Sequence, residues 1–383
     1  AATWQQLGRA GRRAGVSVGI LIGSGAPVDQ YVIHHPDFLL GSRPEEARLD
    51  PDNLHVLLAH LRAATFELPF EPGEAFGPAP ADDLLAFLGE EGHVRQASDG
   101  RWYWSSENFP ASEISLRTAA PENVVIIDTT PDRPRVLGEV DLFSAQVLVH
   151  EHAIYMHESI QYHVDRLEWG ERKAYVHRID ADHYTYANRA VTLKPLDVFA
   201  TAPAVGGERH HGEVMVASLV TFYKKLKFGT DENVGWGPID LPELELQTTA
   251  YWLVANGLRR AWRREELDVA LLGAGRAIQA VASVLLMVDP RDLGLVTQVR
   301  SPHQEAPTIY LYEAVPAGVG LSPRLFDRHD ELVAGAVALI SACPCDAGCP
   351  ACTGPRLEPE VDARALALRL LGELSLPLVG AAA

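Results

Sequence analysis

The four cysteines are the residues of this sequence whose spacing most clearly predicts a chemistry. All four lie within ten consecutive positions, 343–352, and none occurs elsewhere. Four thiolates bind Zn²⁺ tetrahedrally and form a closed, structural site, although an iron–sulfur cluster takes the same ligands. We predict zinc because nothing else in the sequence indicates redox chemistry. Such a cluster also indicates a reducing, cytoplasmic compartment. The predicted metal ligands are Cys343, Cys345, Cys349 and Cys352.

A second chemical pattern lies at the start of the chain, where residues 5–12 read Gln-Gln-Leu-Gly-Arg-Ala-Gly-Arg. This segment resembles motif VI of superfamily II helicases, Gln-x-x-Gly-Arg-x-Gly-Arg. The resemblance implies that Arg9 and Arg12 act as arginine fingers on the γ-phosphate of ATP, and that Gln5 couples the nucleotide state to lobe closure. The alternative is a solvated basic helix start. The chain begins inside the motif and shows no leader, so we expect it to be part of a longer protein.

The rest of an ATP site is missing from the sequence. No Gly-Lys pair occurs, so there is no Gly-x-x-x-x-Gly-Lys-Ser/Thr phosphate loop. The Asp330-Glu331 pair lies in a helical pattern, and we interpret it as a solvated helix face. We therefore expect ATP and Mg²⁺ to bind only in an intact helicase and this chain alone to be inactive, which leaves its status as an enzyme open.

A basic segment runs against the overall charge of the chain. The net charge is −18, yet three of the five lysines fall within four positions, 224–227, beside aromatic residues. Alternation along a strand predicts that Tyr223, Lys225 and Lys227 share one face. Cations beside aromatic rings suit single-stranded DNA, whereas the alternative is a charged strand edge that discourages aggregation. The predicted nucleic-acid contacts are Tyr223, Lys224, Lys225 and Lys227.

Two other groups of residues are weaker candidates. The arginines between positions 259 and 264 precede three acidic residues, so a self-paired surface helix is as good an interpretation as a DNA contact. The histidines at 150, 152, 157 and 163, and at 210 and 211, show no complete ligand set. We therefore assign no metal site to them from the sequence.

The elements that position these residues indicate an α+β protein of several domains. Residues 1–45 combine a helix with an apolar run at 16–22 that predicts a strand, as at the end of a second RecA-like lobe. Residues 46–130 contain two helical patterns, beginning at 54 and 82, and then a hairpin around Asp99-Gly100, which predicts a winged helix. A proline-rich segment at 131–134 indicates a boundary.

Residues 131–383 are predicted to form the zinc-binding domain, first rich in strands and then helical. Strands are expected at 146–149, 174–176 and 213–221, with breaks at Gly206-Gly207 and Gly235-Trp236-Gly237. Helices are expected at 277–288, 324–342 and 362–374, with a lone strand at 308–312. The apolar run at 277–288 is too short to cross a bilayer.

Several sequence segments of this region resemble those of one helicase family. They are the segments 150–157, 223–228, 248–252 and 310–313, followed by Val319-Gly320-Leu321 and the cysteines. The family is that of the bacterial mitomycin-repair-factor helicases, with relatives in mycobacteria, archaea and fungi. It has two RecA-like lobes, a winged helix and a C-terminal zinc-binding domain. The first lobe and most of the second are missing from this sequence.

The resemblance implies a 3′-to-5′ DNA helicase or translocase in DNA repair, of which this chain is the C-terminal accessory, DNA-binding region. Its expected partner is DNA, single-stranded or with a 3′ tail, together with a repair protein and without a membrane. The alternative function is a non-catalytic zinc-binding adaptor that binds a separate helicase or repair protein. The acidic net charge of −18 favours such protein partners.

Overall fold

The computed structural model describes residues 2–11, 16–41, 50, 52–77, 79–114, 123–259, 261–355 and 360–375. The first two segments form three short helices: α1 (Ala2–Leu7), α2 (Pro27–His34) and α3 (Pro36–Gly41). The indole of Trp4 in α1 donates a hydrogen bond to the carbonyl of Leu39 in α3, 3.1 Å away. The strand predicted at 16–22 is wrong, because this apolar run is irregular, largely exposed and paired with no strand of the described residues. A strand needs a partner for its backbone groups.

The next body is the predicted winged helix. Its elements are α4 (Leu54–Glu67), β1 (Ala75–Phe76), β2 (Ala79–Pro80), α5 (Asp82–Glu90), β3 (Val94–Gln96) and β4 (Trp102–Trp104). Leu61, Leu85 and Val94 pack together in a separate small core. β3 and β4 pair as an antiparallel hairpin, and Gly100 in its turn has φ +82°, a conformation that glycine adopts without strain. A 3₁₀ turn, Pro110–Glu113, follows.

A five-stranded sheet comes next. Its elements are β5 (Asn123–Asp128), β6 (Arg135–Asp141), α6 (Leu142–Leu148), β7 (Ile154–His157), β8 (Ile160–Glu168) and β9 (Lys173–Arg178). The strand order is β6-β5-β9-β8-β7, with β5 and β9 parallel and the other pairs antiparallel. The predicted boundary at 131–134 falls in the turn between the paired strands β5 and β6.

The strand predicted at 146–149 is wrong, because most of this segment belongs to α6. The carboxylate of Asp141 accepts a hydrogen bond from the backbone N–H of Ser144, 2.9 Å away, and so caps the helix. Ala145 is fully buried against the sheet. The helix therefore covers one face of the five-stranded sheet.

The largest element is a six-stranded antiparallel sheet. Its strands are β10 (His183–Ala204), β11 (Gly207–Lys227), β12 (Asn233–Pro238), β13 (Leu244–Val254), β14 (Leu293–Gln298) and β15 (Thr308–Glu313). The order is β10-β11-β13-β15-β14, and β12 pairs with the end of β11. The predicted break at 206–207 is the β10–β11 turn, whereas the one at 235–237 is wrong, since these residues lie within β12. The predicted lone strand 308–312 pairs with β13 and β14.

Four helices cover one face of this sheet: α7 (Arg264–Leu286), α8 (Ser322–Asp327), α9 (His329–Ala342) and α10 (Ala363–Leu374). Leu271 of α7 and Leu370 of α10 share a core with Leu311 of β15. The helix predicted at 324–342 is two helices, because the backbone leaves the helical region at Arg328. The mixed architecture confirms the predicted α+β class.

Helix α7 is longer than the predicted 277–288. Among the described helices it is the one long and apolar enough to cross a membrane, by length and composition alone. In this fold 56% of its most apolar window is buried inside the protein. Its partners there are β14, β15, α9 and α10. We therefore describe α7 as the central helix of a packed layer.

Asn53 fixes the winged helix to the helical layer. Its side-chain oxygen caps α4 by accepting from His55 N at 3.0 Å and Val56 N at 3.3 Å. Its amide nitrogen donates to the carbonyls of Pro316 and Gly318, 2.8 and 2.9 Å away, in the loop before α8. The side chain is 5% exposed, so these four bonds satisfy a buried amide and two carbonyls.

Replacing Asn53 by alanine should loosen this junction. The loss of the helix cap alone costs about 1 kcal/mol, and the two carbonyls lose their donor. We expect Asn53→Ala to lower the melting temperature of the chain and to speed its cleavage by protease. The matched control is His55→Ala, an exposed position of the same helix turn. Equal melting temperatures and cleavage rates for both variants would contradict this role.

Candidate metal centre and nucleic-acid surface

The four predicted cysteine ligands converge in one loop between α9 and α10. The sulfur atoms of Cys343 and Cys349 are 3.5 Å apart, those of Cys345 and Cys352 3.6 Å, and those of Cys349 and Cys352 3.8 Å. All four lie within 4.8 Å of one another. A Zn²⁺ ion with Zn–S bonds of about 2.3 Å gives sulfur–sulfur edges of about 3.8 Å in a tetrahedron. The donor set and its spacing therefore fit a closed four-thiolate zinc site.

The loop reaches this geometry through one special backbone position and two arginines. Gly348 has φ +106°, which a residue with a Cβ rarely adopts, and this lets the chain turn back before Cys349. Arg364 at the start of α10 donates to the carbonyls of Ile340 and Ser341 at the end of α9, at 3.2 and 3.1 Å. Arg276 of α7 donates to the carbonyl of Pro355, 3.2 Å away. Three helices thus hold the loop.

The pKa values of the four thiols are shifted in different directions. Burial raises the pKa of Cys343, Cys345 and Cys349. At Cys352 burial also acts to raise the pKa, but hydrogen bonds with Cys349, Cys345 and Thr353 outweigh it, so the pKa falls. A metal binds the thiolates and displaces their protons. Zinc binding at this loop therefore weakens as the pH falls.

The predicted ATP-site residues lie at the N-terminal surface. Gln5 is an exposed residue of α1, and Arg9 is exposed in the turn that follows it. Arg12 lies outside the described residues. Gln5 and Arg9 thus both lie on the surface of the protein. Their roles in ATP hydrolysis stay predictions.

The basic segment lies at the end of β11, where a β-bulge changes which side chains face outward. Asn188 of β10 pairs with Phe222, and Arg189 pairs with Val220, so one extra residue, Thr221, lies between them in β11. As a result Tyr223 lies on the same buried face of the strand as Val220, and its side chain is only 4% exposed. Its ring stacks on that of His150, with 4.9 Å between the centroids. Tyr223 is therefore not exposed for stacking on DNA bases in this structure, and its contact with DNA stays a prediction.

The three lysines do not share one surface. Lys225 and Lys227 alternate with Lys224 along β11, so Lys224 points to the opposite face of the sheet. Lys224 and Lys227 are exposed and Lys225 is half-buried. Tyr223, Lys225 and Lys227 lie on one face of the strand, as predicted. Tyr223 is buried on that face.

Lys224 lies between two exposed aromatic residues that the sequence analysis missed. Tyr186 of β10 and Trp236 of β12 both pair with Lys224, so the three side chains stand in one row on one face. Tyr186 is 58% and Trp236 is 69% exposed. Tyr184, two residues before Tyr186, shares this face, and its ring lies 5.6 Å from that of Phe228. We call Tyr186, Lys224 and Trp236 the aromatic row.

Two residues of the weaker candidate surfaces, Arg263 and Glu331, form ion pairs with near neighbours in the structure. Arg263 donates to Glu266 at 2.9 Å, and the guanidinium of Arg369 lies over the ring of Trp262 at 4.0 Å. Arg260 lies outside the described residues. Glu331, part of the acidic pair interpreted as a helix face, is paired with Arg328 at 2.6 Å in α9.

Comparison with known families identifies two domains of the chain. Residues 274–353 match the family described as the MrfA Zn-binding domain, and this range contains all four cysteines. Residues 49–119 match the winged helix domain of the ATP-dependent helicase HRQ1. These matches confirm the predicted winged helix and the predicted zinc-binding domain.

Similar proteins and structures extend the likeness to nearly the whole chain. The chain is 43% identical over 376 residues to an uncharacterized ATP-dependent helicase, YprA, of Bacillus subtilis, covering 98% of this chain and 50% of YprA. It is 25% identical over 375 residues to the ATP-dependent helicase HRQ1 of Saccharomyces cerevisiae, covering 91% of this chain and 34% of HRQ1.

Solved structures of the helicase MrfA show the same likeness in three dimensions. One superposes with a TM-score of 0.67 at 37% identity, covering 97% of this chain and 51% of MrfA. A second, of MrfA bound to DNA, gives a TM-score of 0.60 at 42% identity, covering 98% of this chain and 50% of MrfA. The chain thus spans about half the length of YprA and MrfA, and the predicted resemblance to mitomycin-repair-factor helicases is confirmed.

Removing one thiolate should release the metal and loosen the helical layer. We expect Cys349→Ser to hold one equivalent of zinc less than the unchanged chain, by elemental analysis, and to melt at a lower temperature, because metal binding supplies local folding free energy. The control is Asp346→Asn, an exposed residue of the same loop. Iron with a visible charge-transfer absorption, or unchanged zinc content in Cys349→Ser, would contradict a four-thiolate zinc site.

Proposed function

We propose that this chain, homologous over nearly its whole length to MrfA-type helicases, is the C-terminal DNA-binding region of an ATP-dependent DNA helicase or translocase that acts in DNA repair with 3′-to-5′ polarity. The observation that supports this most is the match of 98% of the chain, at 42% identity, to MrfA in a complex with DNA. The cytoplasm, where the cysteines stay reduced, is the proposed compartment.

The proposed cofactor of the region is one structural Zn²⁺ held by Cys343, Cys345, Cys349 and Cys352. The sulfur–sulfur distances of 3.5–3.8 Å support it. The ion would neutralise four converging thiolates and fix the end of α9 to the start of α10. In this role the zinc keeps the helical layer on the six-stranded sheet and takes no part in chemistry.

ATP and Mg²⁺ are proposed to bind where this region meets the rest of a helicase. Arg9 and Arg12 would act as arginine fingers on the departing γ-phosphate, and Gln5 would couple the nucleotide state to lobe closure. The exposure of Gln5 and Arg9 on α1 and the turn after it supports a role at such a junction. The phosphate loop and acidic box belong to other residues of an intact helicase.

Single-stranded DNA, or a duplex with a 3′ tail, is the proposed ligand of the aromatic row. Neighbouring strands lie about 4.8 Å apart, so Tyr186 and Trp236 flank Lys224 at about 10 Å from each other. The lysine would contact a phosphate while the two rings stack on bases, the combination that holds single strands without reading sequence. The winged helix would guide or separate the strands. Lys225 and Lys227 would contribute phosphate contacts from the opposite face.

A non-catalytic adaptor that binds a separate helicase or repair protein is the second candidate. The net charge of −18 favours it, because such a surface repels the phosphate backbone outside local basic patches. The two functions differ in their salt dependence. Phosphate contacts weaken steeply as salt rises, whereas an apolar protein contact does not.

Substitutions in the aromatic row should distinguish the contribution of charge to DNA affinity from that of base stacking. Lys224→Ala removes about one phosphate contact and should lower the slope of log affinity against log salt by about 0.7 for a single strand. Replacing Lys225 and Lys227 as well should lower it by about two units. Trp236→Ala should weaken binding by about 1–3 kcal/mol at every salt concentration and preserve the slope. The measurement is fluorescence anisotropy of a labelled oligonucleotide.

The matched control for the charge is Lys194→Ala, an exposed lysine of β10 far from the row. It should leave affinity and slope unchanged. If Lys224→Ala and Trp236→Ala both bind like the unchanged chain, the row does not contact DNA. Binding that depends instead on the winged helix would move the interface there, and no binding at all would favour the adaptor.

The 383-residue chain alone should show no nucleic-acid-stimulated ATP hydrolysis, because it has no phosphate loop. In an intact helicase, Arg12→Ala should lower kcat by about a thousandfold or more, the range by which an arginine finger accelerates phosphoryl transfer. Phosphate release by the isolated chain that disappears in Arg9→Ala or Arg12→Ala would contradict this assignment.

A further inference from the structure

A second group of metal-ligating side chains lies on the five-stranded sheet. His163 of β8 and His177 of β9 are paired directly across the two strands, so their rings stand on the same face. Their neighbours Val164 and Val176 are fully buried in the core on the opposite face. The two imidazoles therefore point away from α6 and towards solvent.

A β-bulge brings a carboxylate between the two rings. Val164 pairs with Val176, and Arg166 pairs with Tyr175, which leaves Asp165 as the extra residue of β8. One oxygen of Asp165 lies 3.0 Å from Nδ1 of His163. The same oxygen lies 2.9 Å from Nδ1 of His177, and the second carboxylate oxygen lies 2.8 Å from that nitrogen.

These contacts are hydrogen bonds, and their lengths are close to the spacing of donor atoms around one metal ion. Nitrogen and oxygen donors bind Zn²⁺ at about 2.0–2.2 Å, so two adjacent donors in an octahedral shell lie about 3.0 Å apart and in a tetrahedral one about 3.4 Å. The three ligand atoms lie within 4.8 Å of one another.

We propose that His163, Asp165 and His177 form a second metal site, which binds Zn²⁺ or a similar divalent transition-metal ion through two imidazole nitrogens and one carboxylate. Two histidines and one carboxylate suit such ions, whereas Ca²⁺ and Mg²⁺ favour sites built from oxygen alone. The site is independent of the four-cysteine loop and of the DNA-binding proposal.

This site differs from the cysteine site in being open. The side chains of His163, Asp165 and His177 are 24%, 44% and 43% exposed, so solvent reaches the ion. Three protein ligands leave at least one position for water or for a donor atom of a bound molecule. The imidazole of His152 lies close to the site, with its ring centroid 5.6 Å from that of His163. An open site exchanges its ion faster than a closed one.

Zinc counting tests the proposal without DNA or ATP. The chain is dialysed to equilibrium against buffers that hold fixed concentrations of free Zn²⁺, and the bound zinc is measured by elemental analysis as the excess over each buffer. We expect about two zinc ions per chain and about one in His163→Ala and in His177→Ala. A zinc-binding dye should remove one ion quickly and the other slowly from the unchanged chain. The fast phase should be missing from both variants.

The matched control is His183→Ala, a half-buried histidine that is also paired with a carboxylate, Asp182, at 3.1 Å. It should keep two zinc ions and both phases. Circular dichroism of each variant shows that the fold is intact. One zinc ion in the unchanged chain at every loading, or the same count in His177→Ala as in the unchanged chain, would overturn the site and leave a hydrogen-bonded surface triad. Either result leaves the DNA-binding proposal untouched.

Discussion

Four thiolates within one short loop are the constraint on which the C-terminal half of this fold depends. Their sulfur atoms lie within 4.8 Å of one another, which is a stable arrangement for four thiolates only when a cation lies between them. The loop joins α9 to α10 and packs closely on α7. A Cβ added at Gly273 of α7 would lie 3.2 Å from the Cβ of Ala367 and 3.4 Å from that of Thr353. Small residues thus let two helices and the loop meet.

The helical layer held by this loop decides which part of the six-stranded sheet meets solvent. Helix α8 reaches the far end of β11, where the guanidinium of Arg209 lies 5.1 Å from the ring of Phe326. At the other end of β11 the same face is exposed, and it presents Tyr186, Lys224 and Trp236. A single extra residue at Thr221 sets this arrangement, because a bulge inverts the alternation of every residue after it. Another bulge, at Asp165, builds the histidine site.

Local signals in the sequence were sufficient for the cysteine ligands and the winged helix. Four thiols in ten positions have few interpretations, and Asp99-Gly100 specifies a tight turn by itself. Sequence patterns whose structure depends on a neighbouring strand led to wrong predictions. The run at 16–22 has strand propensity but no strand beside it, and the buried side of Tyr223 depends on pairing with β10. Tyr186 and Trp236 were missed because they are 50 positions apart and meet only across three strands. The cap at Asp141 was a local sign that residues 142–148 are helical.

Ultraviolet cross-linking of the chain to a single-stranded oligonucleotide, followed by mass spectrometry of the peptides, tests the central claim most directly. If this region binds DNA along the aromatic row, cross-links should concentrate in peptides from β10, the end of β11 and β12, with Tyr186 and Trp236 as the attachment sites. These links should persist when an excess of unlabelled duplex is added, because stacking needs unpaired bases. Cross-links confined to other surfaces of the chain, or none at all, would contradict the claim that this face of the sheet is where the protein holds DNA.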